Sequence, residues 1–260
     1  MPFRMLPNSD ASSLNALREL KRKQGTTATA DWPFPEAQGL ENVACFTLLD
    51  REVGERENAE ALRSGASHLA EAAMNRTRQI TSHFIQTLNN GIDRAALKRE
   101  DRGFYSLGLD HGDVPAMTSN ADVIQWATNV VQGEARRATA AGAAYVPVTF
   151  PSAAQVQTEL TAFETLLATQ GTAVTTALSE ARDVENIRPR IGLTILESWD
   201  AIDYKYRRLD GPARRALARE WGVLYVSRPG ETPEPGVDPA PTGSSGGTGG
   251  AGGTGGTPTP

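Results

Sequence analysis

Six basic side chains gather in one short stretch, Lys205, Arg207, Arg208, Arg214, Arg215 and Arg219, against the single acid Asp210, with Tyr204, Tyr206 and Trp221 interleaved or adjacent. Cations at this density can neutralise phosphates and the rings can stack on bases, so the pattern suits nucleic acid. Basic residues also belong at a helix C-terminus, where they oppose its partial negative charge. The remaining charge decides between these readings. The chain carries 26 Lys and Arg against 31 Asp and Glu, a formal charge of −5. Three of the acids, Glu231, Glu234 and Asp238, lie beyond Arg228, which leaves the first 228 residues at −2. A near-neutral body lacks the wide electropositive footprint of nucleic-acid binders. Nucleic-acid binding through the Lys205 to Arg219 patch is therefore the alternative function, and the same patch also suits an acidic protein surface.

Metal chemistry has one foothold. Asp110-His111-Gly112-Asp113 offers two carboxylates and an imidazole in a glycine loop that could meet a divalent cation. A metal-dependent enzyme would be the less favoured alternative built on it. Asp and Gly are equally expected in a polar turn, and no further ligands are identifiable elsewhere. The Glu-x-x-His pairs of di-iron bundles are absent, because the residues three before His68, His83 and His111 are Gly65, Ile80 and Gly108. His68 and His83 are separated by about 22 Å of helix and cannot share an ion. Glu197, Asp200 and Asp203 read as a solvated helix face, with Asp203 supporting Arg207.

Nucleophile motifs fail on context. Gly243-Ser-Ser245-Gly-Gly247 matches Gly-x-Ser-x-Gly but lacks the strand and helix of an elbow. Gly103 and Gly108 are wrongly spaced around Ser106, and no phosphate-binding loop occurs. Cys45, the only cysteine, sits in an apolar helical segment and reads as a small core residue, which also excludes a disulfide framework. Asn75-Arg-Thr77 is a sequon with no apolar leader at Met1-Pro-Phe-Arg-Met-Leu-Pro7 to give it meaning. The expectation is a cytoplasmic protein that is not an enzyme, with no catalytic, cofactor-binding or metal residues and no membrane span.

The elements that would position these groups are helical. Asn8 or Ser9 caps a helix to about Lys23, with Leu14, Leu17 and Leu20 on one face and Glu19 four residues before Lys23. Gly25 to Pro35 reads as an extended strap anchored by Trp32 and Phe34. A second helix spans Glu36 to about Arg63 with Leu40, Val43, Ala44 and Thr47 inward. The third follows Leu62, Ala66, Leu69, Ala73, Thr77, Ile80, Phe84, Leu88, Ile92 and Ala95, a mean step of about 3.67 that keeps its stripe nearly straight. Ser119 and Asp122 form a capping box for a fourth helix, with Ile124, Ala127, Val131, Ala135 and Ala138 buried and Gly142 at its end.

Ser152 and Gln155 form a second capping box, opening the longest run. Leu160, Leu167, Val174, Ala181, Arg188, Ile195, Ile202 and Leu209 recur every seven residues, and Phe163, Ala177, Val184 and Ile191 fill part of a second seam position, as in a coiled coil. Pro189 predicts a kink or break between Asn186 and Arg190. A short helix follows from Pro212 to Trp221. Val223 to Val226 then forms a clasp that packs on the bundle end or pairs with Tyr145 to Phe150.

The chain thus divides into residues 1–35, a short helix and strap; 36–228, a helical body; and 229–260, a tail. With 11 Gly, 7 Pro and no aromatic residue, the tail cannot build a core and is expected to be a disordered tether. The fold expected is an all-α, elongated antiparallel bundle of long kinked helices. At Arg219-Glu-Trp-Gly-Val-Leu-Tyr-Val226, Asp203-Tyr-Lys-Tyr-Arg207 and Met5-Leu-Pro-Asn-Ser-Asp10 the chain resembles a loosely defined set of uncharacterised bacterial helical proteins, over most of residues 3–228. The resemblance implies a helical fold and transfers no activity or site residue. Long seams without site chemistry lead to a structural or protein-interaction role, through a protein partner or self-association.

Overall fold

The structure, a computed structural model, describes residues 2–109, 112–228 and 238–239. It is all-α. Among the described residues there are five α-helices: α1 (Asp10–Thr26), α2 (Glu36–Asp93), α3 (Asn120–Ala141), α4 (Ala153–Tyr206) and α5 (Gly211–Arg219). Three very short strands accompany them, β1 (Phe3–Arg4), β2 (Tyr225–Ser227) and β3 (Asp238–Pro239). The separate second and third helices expected from the sequence are one helix, α2; Gly54 and Gly65 fall inside it without ending it. Two compact units result, one from residues 1–50 together with the chain from Arg188 onward, the other Arg51–Ile187. Asp110, His111 and the tail, apart from Asp238–Pro239, lie outside the described residues.

In the Arg51–Ile187 unit, α2 and α4 run antiparallel. Gln170 donates to Ser67 at 3.2 Å while Thr77 donates to the Glu159 carbonyl at 3.0 Å, so later residues on one helix meet earlier ones on the other. Phe84, Ile85 and Leu88 of α2 pack with Tyr105, Ala127, Val130 and Val156 in the main core. The expected α2 series holds at Thr77, Phe84 and Leu88, while Leu62 and Leu69 are exposed. Ser119 accepts from the Asp122 N–H and Asp122 returns the bond, as the capping box requires, and Gly142 ends α3 at φ +54°. The buried face of α3 is Val123, Ala127, Val130, Gly133, Glu134 and Arg137. Val131 and Ala138 are only half-buried and Ala135 is exposed, so the apolar reading lies about one residue off the true face. Polar groups, not alanines, fill its far end.

In the other unit, Ser9 caps α1, and Leu17 and Leu20 are buried. Glu19 pairs with Arg22 at 2.8 Å, and Lys23 reaches Glu220 at 2.6 Å. Phe34 anchors the strap edge-on to Trp221 at 5.5 Å. The C-terminal clasp does not pair with Tyr145 to Phe150; Val223, Tyr225 and Val226 are buried, Tyr225 and Val226 lie antiparallel to Arg4 and Phe3, and β3 runs parallel on the other side of β2. The turn into the clasp needs Gly222. Its φ is +83°, and a Cβ there would sit 2.6 Å from Glu19 Cβ.

The inward face of α2 here is Gly39, Asn42, Cys45 and Leu49. Leu40, Ala44 and Thr47, expected inside, are exposed, because small and polar residues rather than the leucine hold the contacts with α4. Gln38 and Asn42 engage Ser198, Cys45 lies 3.5 Å from Thr194, and Arg190 pairs with Glu41 at 2.7 Å. Along α4 the buried spine is the second seam, Phe163, Ala177, Val184 and Ile191, with Leu160, Ile195 and Ile202 also buried. Leu167, Val174 and Ala181 are half-buried, and Leu209 lies exposed beyond the helix end. Arg188 explains itself as an exposed residue that forks onto Asp10 at 2.8 and 2.9 Å.

Helix α4 continues through Pro189, so the chain does not break there. Proline in a helix interior forfeits a hydrogen bond and clashes with the preceding turn, and Pro189 is exposed, so it returns no burial. Pro189→Ala is expected to raise stability by about 1 to 3 kcal/mol, read as a higher Tm in thermal unfolding. A lower Tm would mean that the proline geometry is required by the packing.

Candidate functional site

The six basic residues between 205 and 219 differ in burial and lie on two helices and the turn between them. Helix α4 ends at Tyr206 and α5 begins at Gly211, with Asp210 capping α5 by accepting from the Ala213 N–H at 2.9 Å. That turn separates the six. Lys205 donates to the Asp31 carbonyl, and Arg207 stacks on the Tyr204 ring at 3.7 Å. Arg208 is exposed, Arg214 and Arg219 are half-buried, and Arg215 is buried with its guanidinium against Gly211. Asp203 does not support Arg207. It accepts instead from Arg4 at 3.2 Å and from the Tyr225 hydroxyl at 2.5 Å, while Asp200 takes the other arm of Arg4 at 2.6 Å. Glu197 is exposed, as read from the sequence.

The most elaborate polar constellation is one that the sequence reading passed over, in the Arg51–Ile187 unit. Glu134 on α3 accepts from Tyr105, from Tyr145 at 2.5 Å, from the Val148 N–H at 3.1 Å, and from Arg137 Nη2 at 2.9 Å and Nε at 3.2 Å. Arg137 also donates to the Tyr105 hydroxyl and to the Val146 carbonyl, both at 2.8 Å. Glu134 and Arg137 are only 7% and 3% exposed, so two opposite charges pair below the surface. Helix geometry brings them together at i and i+3. Gly133 admits the Tyr105 ring, since a Cβ there would lie 2.5 Å from Tyr105 Cδ1.

Electrostatics follow from that packing. Burial alone would raise the Glu134 pKa, but hydrogen bonds from Arg137, Tyr105, Tyr145 and Val148 outweigh it and hold the carboxyl below its ordinary 4.5. Burial and the adjacent carboxylate push Tyr145 up to about 12, and Tyr105 rises further for the same reasons. A carboxylate saturated by donors is a poor general base, and phenols held protonated are poor nucleophiles. The arrangement fixes α3 to the 99–105 turn and the 145–148 segment.

Other candidates are placed as follows. Asp113 and Gly112 are exposed, their carbonyls accepting from Arg102 at 3.3 Å and Asn89 at 2.7 Å; Asp110 and His111 lie outside the described residues. His68 and His83 are exposed. Cys45 is buried, as read, and burial pushes its thiol up. Glu52, Glu55 and Glu180 place carboxylate oxygens within 4.8 Å of one another, a set that spacing could not reveal because Glu180 comes from α4. Arg51 pairs with Glu52 and lies 3.9 Å from Glu55, offsetting that negative charge. Among the described residues no helix is long and apolar enough to cross a membrane. Comparison finds no family model, no curated protein and no solved structure that matches the chain.

Proposed function

We propose that this protein works without turnover, presenting helix surfaces to a protein partner, and that self-association is the mode. The observation that carries the reading is the outer face of α2 in the Arg51–Ile187 unit. Leu62 is 69% exposed and Leu69 is 58% exposed, and residues seven apart lie on one side of a helix. Scattered exposed leucines need no explanation, but two on one face with the small residues Gly65 and Ala66 between them make a knob-and-gap surface of the kind a second helix covers. The buried polar groups described above support the same reading, because they are spent on holding elements together.

Sedimentation velocity tests this. The full chain is expected to associate reversibly as concentration rises, and Leu62→Glu with Leu69→Glu is expected to abolish association while circular dichroism stays unchanged. A wild-type chain that stays monomeric at the highest attainable concentration would remove self-association. The nucleic-acid alternative, resting on exposed Lys205, Arg207 and Arg208, requires binding to random DNA or RNA that falls steeply with salt.

A further inference from the structure

The guanidinium of Arg137 is not fully used by the network behind it. Its Nε and Nη2 are committed to Tyr105, Glu134 and the Val146 carbonyl, whereas among the described residues Nη1 makes no hydrogen bond and its nearest carboxylate, Asp101, is 4.0 Å away. Arg137 forms part of the wall of a cleft of about 420 Å³, within the size range of small-ligand sites. The other walls are mostly apolar, Leu97, Phe104, Ala144 and Val146 among them, and Lys98 stands beside them. Asp101 also borders the cleft, but its carboxylate accepts from the Lys98 N–H at 3.1 Å and so caps the start of the 99–105 turn.

Three features of this cleft converge on one ligand chemistry. The one nitrogen left over, Nη1, can donate a charge-assisted hydrogen bond to a carboxylate oxygen, and burial of the rest of the side chain fixes its orientation in advance. The Lys98 ammonium adds a second positive charge. The apolar walls reward a hydrocarbon chain, which a free phosphate lacks. We infer that this cleft is a binding site for a small aliphatic monocarboxylate, its carboxylate on Arg137 Nη1 and its chain along Leu97, Phe104 and Val146. This goes beyond the interaction role and does not depend on it, since the cleft lies on neither Leu62 nor Leu69.

The probe is sodium hexanoate, titrated into the full-length ¹⁵N-labelled protein at constant ionic strength, with hexanamide and sodium acetate as the arms that isolate charge and chain. The expected result is saturable amide shifts confined to Leu97, Lys98, Phe104, Ala144 and Val146, with hexanamide and acetate each much weaker. Lys98→Ala is expected to weaken hexanoate about two- to fivefold, the effect of an exposed charge. Ala144→Trp, a change at an exposed position, fills the cleft and is expected to abolish the shifts with helicity unchanged. Non-saturating or scattered shifts, equal responses to hexanamide and hexanoate, or an undiminished response in Ala144→Trp would each overturn the site. Should the tryptophan variant fail to fold, the amide comparison and Lys98→Ala still decide.

Discussion

Glu134→Ala is expected to destabilise the protein by about 3 to 5 kcal/mol, the range for removing one partner of a buried ion pair. Arg137, 3% exposed, would keep its charge with the Tyr105 hydroxyl, the Val146 carbonyl and the distant Asp101 but no close carboxylate to offset it. The hydroxyls of Tyr105 and Tyr145 and the N–H of Val148 would lose an acceptor in the same step. Unsatisfied buried donors cost more than the bonds they formed were worth, so the loss exceeds that of an ordinary surface pair. Glu134→Gln keeps the volume and one carbonyl oxygen and is expected to cost less than the alanine. Urea unfolding followed by circular dichroism measures both, and a loss below about 1 kcal/mol for the alanine would show that the network is a passive packing feature.

The same network sets a pH window, isolated by subtracting the stability of Glu134→Ala from that of the wild type at each pH. The native Glu134 carboxyl is held below its unfolded 4.5, so its contribution is fully present above that value and disappears as pH falls through the depressed native one. Tyr145 runs the other way. Its native pKa is raised from 10.0 to about 12, so its contribution is present below 10 and is lost as pH climbs through that interval. The difference is expected to be flat from about pH 5 to pH 10 and to shrink on both sides. A slope centred near neutrality would implicate another group.

Helix existence and the caps at Ser9 and Ser119 are legible in the sequence because each depends on residues within one turn of each other. Phe34 as an anchor was legible for a similar reason, a large ring in a strap that cannot fold alone. Glu134 with Arg137 was not. On paper the two are an ordinary i,i+3 pair, and what buries them is Tyr105, 29 residues away, admitted by Gly133. A glycine inside a helix, next to a charged pair, is the one local sign that another element approaches there. The environments of the basic residues were equally hidden. Six cations close in sequence were divided by the Asp210 turn, and Arg215 was taken into the interior.

The face of α2 between residues 36 and 50 shows how an apolar pattern can select the wrong side, and it yields the second large prediction. Leu49→Ala and Ile195→Ala are each expected to cost about 2 to 5 kcal/mol through lost burial and an unfilled cavity. Both side chains are 1% exposed. Leu40→Ala is expected to change stability by no more than about 0.5 kcal/mol, because that side chain is exposed. Periodicity favoured Leu40 because leucine is apolar and the side of α2 that α4 covers was not visible from sequence. The contacts with α4 are made instead by Asn42 with Ser198 and by Cys45 with Thr194, polar or small pairs that bring the two helices together without advertising themselves as core. Chemical denaturation of the three variants side by side decides between the faces. If Leu40→Ala proved as damaging as Leu49→Ala, α2 would have to be rotated about its axis, and the Gln38 and Asn42 bonds to Ser198 would be lost with the present register.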